Sequence, residues 1–188
     1  MDTEKLREFL QFSESVQSLL LICEEDISIL LPNILTILIQ EEGMNGIFVC
    51  IDRPTKFYTN VLTSRKIPPE KLFLIEVSRS PTTPTFVESP SDLTSLKIAI
   101  TDAINQIPKS DKVFFTIDSI ESLSLYNDPK TIGRFLHETN LQMRINGIFQ
   151  LYILIPDHEL CPIVKKLSDR HMEISTTPES IFAKAFRK

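Results

Sequence analysis

Lys112-Val113-Phe114-Phe115-Thr116-Ile117-Asp118-Ser119 is a β-branched and aromatic run that stops at a carboxylate. A run that is apolar throughout predicts a strand covered on both faces, as in a parallel sheet. Comparable runs lie on either side of it: Leu19 to Cys23, Gly46 to Ile51, Leu72 to Val77 and Ile148 to Ile155, with His171 to Ser175 short enough for an edge strand. Between them, Leu30 to Gln40, Thr55 to Ser64, Asp92 to Ile107 and Pro129 to Ile145 have helical spacing. Strands alternating with helices predict an α/β fold, a three-layer α/β/α with a mainly parallel, doubly wound sheet and right-handed crossovers.

The boundaries have matching chemistry. In Ser89-Pro90-Ser91-Asp92 a hydroxyl or carboxylate is placed to cap the helix opening at Leu93. Asn127-Asp128-Pro129 sets a cap residue before a proline at the first helical position, and Ile132, Phe135, Leu136 and Met143 trace its buried stripe. Ser78 to Pro90 is the one long irregular segment, read as a surface loop near the carboxyl ends of the strands. The whole chain, 1–188, reads as a single domain. It has an amphipathic N-terminal helix in 1–14 (Leu6, Phe9, Leu10, Phe12) and a C-terminal tail, 176–188. That helix is expected to pack on its own sheet in preference to a neighbouring subunit.

Composition narrows the classes. The 188 residues are 42% hydrophobic and 24% charged with net charge -5, which is globular and argues against a nucleic-acid surface. The absence of Trp and the three Tyr argue the same for single-stranded DNA, whose sites need stacking aromatics in basic grooves. Three cysteines, Cys23, Cys50 and Cys161, show no CxxC spacing, so neither a disulfide framework nor a zinc site is expected, and a cytoplasmic location fits. The longest apolar segment, around Ile27 to Ile39, is interrupted by Pro32-Asn33 and falls short of the roughly 20 residues of a membrane span.

In an open parallel sheet, ligands bind beyond the carboxyl ends of the strands. Carboxylates gather there: Glu24-Glu25-Asp26, Asp52, Asp118, and Asp157 with Glu159 around His158. A receiver-domain reading of the first cluster fails. The third strand ends in Glu76-Val77-Ser78 without a phospho-acceptor Asp, and no Lys follows the fifth. His137 reads as a surface or packing residue. No Ser/His/Asp or Cys/His pair supports nucleophilic catalysis.

Lys112 to Ser119 resembles the Walker B strand of RecA/KaiC-like ATPases, in which an apolar strand ends in an Asp that holds Mg²⁺ through water. Gly46 to Pro54 resembles that family's second strand, which ends in the acidic residue that activates the attacking water. Val87 to Leu96, Asp118 to Asp128 and Phe135-Leu136-His137 are similar to segments of archaeal KaiC-like proteins, as is Leu167-Ser168-Asp169-Arg170 before the closing strand. The likeness covers roughly residues 17 to 175 and implies the RecA/KaiC fold.

The phosphate-binding loop of that family is missing. In place of GxxxxGK[ST] stands Cys23-Glu24-Glu25-Asp26-Ile27-Ser28-Ile29-Leu30, with no glycine before Gly43 and no lysine between Lys5 and Lys56. Carboxylates there repel a triphosphate: one charge pair at about 4 Å costs ~4 kcal/mol at an effective dielectric of 20. ATP/Mg²⁺ binding is disfavoured and no cofactor is expected. Asp52 and Asp118 then read as vestigial catalytic positions whose remaining roles are helix caps. The expected function is a regulatory or scaffold protein acting through a protein partner or homo-oligomer. Two alternatives remain. One is a nucleotide or small molecule held near Asp52, Arg53 and Asp118, with Ser119 a further candidate and with Arg53 and the Ser/Thr-rich loop Ser78 to Thr85 as donors; the other is a metal-dependent hydrolase on the carboxylate edge.

Overall fold

The computed structural model describes residues 3–11, 15–23 and 27–174. Its sheet holds β1 (Ser18–Cys23), β2 (Asn45–Cys50), β3 (Leu72–Val77), β4 (Phe86–Val87), β5 (Val113–Ile117), β6 (Phe149–Leu154) and β7 (Arg170–Ile174). The order is β4-β3-β2-β5-β6-β1-β7 and every neighbouring pair is parallel. The helices are α1 (Thr3–Leu10), α2 (Ile27–Leu35), α3 (Thr55–Ser64), α4 (Leu93–Gln106), α5 (Pro129–Ile145) and α6 (Cys161–Leu167).

Strand alternation divides the core in two. Leu19, Leu21, Phe48, Phe114, Phe149 and Leu151 face α1, α2 and α3. Leu20, Ile47, Val49, Phe115, Ile117, Tyr152 and Leu154 face α4, α5 and α6. Each central strand is therefore buried on both sides, which is why its sequence shows no alternation. Gly46 is required where β2 is squeezed between neighbours, since a Cβ there would lie 2.4 Å from both Leu72 Cδ1 and Phe114 Cζ.

α1 packs on its own sheet, with Leu6, Phe9 and Leu10 buried, while Phe12 lies outside the described residues. A two-pronged Arg7–Glu41 pair, 2.6 and 2.9 Å, staples it to the end of α2's extension. Asp92 and Asp128 cap α4 and α5 as their spacing predicts, each accepting from the backbone N–H three residues on.

Three details depart from the sequence reading. The helix over Leu30 to Gln40 begins at Ile27, runs through Pro32, and widens into a π-helical turn over Thr36–Glu41. Pro32 supplies no N–H, and the Thr36 hydroxyl donates to the Pro32 carbonyl at 2.7 Å, so the regular ladder is weakened where it widens. Burial of Leu30, Leu31, Ile34, Leu35, Ile37 and Leu38 outweighs that defect. α6 and the two-residue β4 are too short to leave a periodic signal.

Arg144 at the end of α5 and Asp169 before β7 close the amino edge. Asp169 Oδ2 accepts from the Gln17 and Ser18 N–H groups at 2.9 Å, and Oδ1 accepts from Arg144 Nη2 at 2.7 Å. The Ser18 hydroxyl joins the same cluster and donates to the Leu167 carbonyl. The Asp169-Arg170 motif thus anchors the start of β1 to the segment that leads into β7.

Candidate functional site

β2 and β5 are adjacent, yet the chain leaves β2 for α3 on one face and leaves β5 for α5 on the other. Their carboxyl ends therefore border a crevice of the kind where doubly wound sheets bind ligands. Asp118, 5% exposed, follows β5 and bonds across to the end of β2. Oδ1 accepts from the Ile51 N–H at 2.8 Å, and Oδ2 accepts from the Asp52 N–H at 3.2 Å and from the Tyr58 hydroxyl at 2.5 Å. Burial pushes the Asp118 carboxyl up to about 6, although the Tyr58 and Ile51 hydrogen bonds hold it down; the nearby Asp52 charge adds to the rise. Burial and the Asp118 charge drive the Tyr58 phenol far above its ordinary range, so Tyr58 is the donor of the pair.

Asp118 is therefore not a helix cap. The turn that follows it, Glu121–Leu125, has no side-chain cap, and the carboxylate instead caps the end of β2. Asp52 does not cap α3 either, where Pro54 occupies the cap position without a side-chain bond. It accepts from the Ser122 hydroxyl, which also bonds the Ser119 hydroxyl at 2.9 Å. The single Ser119 proton serves either the Ser122 oxygen or Glu121 Oε2 at 3.3 Å, and Glu121 Oε1 accepts from the Ile155 N–H at 2.6 Å. A chain of polar groups thus crosses the carboxyl ends of β2, β5 and β6. Arg53 lies beside this chain with its guanidinium 4.7 Å from the Phe57 ring centre.

One threonine of the Ser/Thr-rich loop, Thr82, turns to a carboxylate of the chain itself. Glu76, 2% exposed at the end of β3, accepts from Thr82 N–H at 2.7 Å, from Thr82 Oγ1 at 3.0 Å and from Thr55 Oγ1 at 3.4 Å. The Thr82 donors are spent on this carboxylate of the chain itself.

A second crevice lies between β1 and β6, where the chain again leaves for opposite faces. A cavity of about 440 Å³ opens there, lined by Ile22, Asp157, Cys161, Lys165 and Ile174 among others. Glu24, Glu25 and Asp26, which follow β1 in place of a phosphate loop, lie outside the described residues. His158 is turned back on its own loop, Nδ1 accepting from the Leu160 N–H at 3.2 Å. Among the described residues no three His, Cys, Asp or Glu side chains are arranged to hold a metal ion. His137 lies on the exposed side of α5.

Sequence reading thus located Asp52, Asp118 and Ser119 but missed Tyr58, Ser122, Glu121 and the Glu76–Thr82 pair. Glu76 carried a signal: a lone carboxylate ending an apolar strand needs buried partners. Tyr58 carried none, since an aromatic at the fourth position of a helix is ordinary packing.

The model of a family described as "Family of unknown function (DUF7504)" matches residues 41–172, and the chain belongs to this family. The structure resembles the crystal structure of a KaiC-like protein from the hyperthermophilic archaeon Pyrococcus horikoshii OT3. That likeness has TM-score 0.65 and 16% sequence identity, and covers 88% of this chain and 76% of that one. The fold is of RecA/KaiC type. No curated protein matches the sequence.

Proposed function

We propose that this member of the family is a non-catalytic KaiC-like domain, a pseudo-ATPase, that acts as a cytoplasmic regulatory or scaffold protein through protein–protein contacts. The observation that supports this most is the state of Asp118. A Walker B carboxylate works by offering its oxygens to metal-bound water, and here Ile51, Asp52 and Tyr58 occupy three of the about four acceptor positions of Asp118. With only 5% of Asp118 exposed, that occupancy disfavours a hydrated Mg²⁺ against it. The sequence Cys23 to Leu30 adds to the argument, lacking the glycines and lysine that would hold phosphates.

Contact with other proteins is supported by apolar side chains on the helical surface. Ile98 on α4 is 57% exposed, and Leu141 and Ile145, one turn apart on α5, are 53% and 76% exposed. Among the described residues no helix is long and apolar enough to cross a membrane.

Isothermal titration calorimetry with ATP and Mg²⁺ tests the proposal, with Asp118→Ala as control. No heat at high micromolar ATP is the expected result. Saturable binding that Asp118→Ala abolishes would overturn it.

A further inference from the structure

We propose that the cavity between the carboxyl ends of β1 and β6 is a docking site for the chain's own C-terminal segment, residues 175–188, with one of its phenylalanines as the anchor. This goes beyond the pseudo-ATPase reading and does not depend on Asp118.

Three observations carry it. The first is position: Ile174, the last described residue before the segment, is itself part of the cavity wall. Phe182 is eight residues further on, within a reach of roughly 26 Å at about 3.3 Å per residue, so the segment can turn back without strain.

The second is charge. The lining carries Asp157, Glu159 and Glu173 against Lys165, a balance of -3 + 1 = -2 with His158 neutral. Lys165 is engaged by Glu173 at 3.0 Å, whereas Asp157 and Glu159 are exposed and form no ion pair with any described residue. The segment, Ser175-Thr176-Thr177-Pro178-Glu179-Ser180-Ile181-Phe182-Ala183-Lys184-Ala185-Phe186-Arg187-Lys188, carries Lys184, Arg187 and Lys188 against Glu179, a balance of +3 - 1 = +2.

The third is chemistry of fit. Ile22, Pro156, Pro162 and Ile174 give the cavity an apolar wall beneath its acidic rim. Ile181, Phe182 and Phe186 offer the matching apolar groups, set among cations.

The chain has no tryptophan, so Phe182→Trp and Phe186→Trp, made separately in the full chain, each report on one position. The expected result is that one of the two shows blue-shifted emission and several-fold weaker acrylamide quenching than the same tail as a free peptide. Neutralising the rim with Asp157→Asn and Glu159→Gln, or raising the salt, returns quenching to the free-peptide level. Both substitutions are mild, and an unchanged circular dichroism melt verifies folding. Peptide-like quenching at both positions overturns the proposal. So does protection that survives rim neutralisation, or protection that appears only as protein concentration rises, which would mean the tail of a second copy.

Discussion

Tyr58 on α3 and Asp118 at the end of β5 share a buried hydrogen bond across the gap between two strands, 2.5 Å from hydroxyl to Oδ2. Burial moves both groups away from their ordinary acidity; after it, the Tyr58 hydroxyl bond matters most to Asp118, and the Asp118 charge matters most to Tyr58. The pair makes the Walker B position a structural tie, and its consequences can be measured.

Tyr58→Phe removes a donor from a buried carboxylate while preserving the ring that packs on Phe48 at 4.6 Å. Urea denaturation at pH 8, where Asp118 is ionised, should show a loss of about 1.5–3 kcal/mol, the range for hydrogen bonds to charged groups. At pH 4.5 the loss should shrink toward about 1 kcal/mol, because the bond is then between neutral groups. An equal loss at both values would show that Asp118 does not titrate between them.

Asp118→Asn tests the same site from the other side. The native carboxyl keeps its proton up to about 6, against 3.8 in the unfolded chain, so the folded state is the better proton binder in that window. Stability from this group is highest at low pH and declines as pH rises from about 4 through 6. A rise from 3.8 to about 6 corresponds to at most ~3 kcal/mol. The difference in stability between the native chain and Asp118→Asn should fall across that window and stay flat above pH 7. A flat difference throughout would mean a carboxyl with no shift.

Asp169→Ala should cost roughly 3 kcal/mol, since it strands two backbone N–H groups and leaves the Arg144 guanidinium with only the uncharged partners Asn140, Ser18 and Leu167. Burial alone would raise the Asp169 pKa, but the Arg144 contact and the Gln17 and Ser18 N–H groups together hold it below the ordinary carboxylate range. Its contribution is therefore present above the ordinary carboxylate pKa and is lost as pH falls below about 4. The native chain and Asp169→Ala should converge in stability there, and thermal melts over a pH series will show whether they do.

Glu76→Gln loosens the loop that follows β3. The amide cannot accept from Thr82 N–H and both hydroxyls as the carboxylate does, so opening should become easier by about 1–2 kcal/mol. Trypsin cleavage after the exposed Arg79 should then be roughly 5–30-fold faster. Unchanged cleavage would show that the Glu76 cradle does not order the loop.

How much was legible in the sequence follows the physics of each element. Strands buried on both faces betray themselves by length and composition, so β3 and β5 were bounded correctly from the residues alone. α3 and α5 were bounded correctly too, α5 with its cap and proline in view. α6, seven residues long, falls below one period of reliable pattern. At the site, the strand-end positions of Asp52 and Asp118 were readable because topology fixes where strand ends meet. Their partners were not, since Tyr58 and Ser122 lie 60 and 70 residues away from them. Which acceptor a buried hydroxyl reaches depends on packing distances that no spacing encodes.

The strand order also has a consequence in time. β1 and β2 are consecutive in the chain but separated in the sheet by β5 and β6. Leu19 pairs with Leu151, so β1 waits 151 - 19 = 132 residues for its first sheet neighbour. At a synthesis rate of about 5–20 residues per second, the nascent chain carries Ser18–Cys23 without a sheet neighbour for roughly 7–26 seconds. Strand β1, buried along its whole length in the finished sheet, is on the ribosome a segment in need of a chaperone.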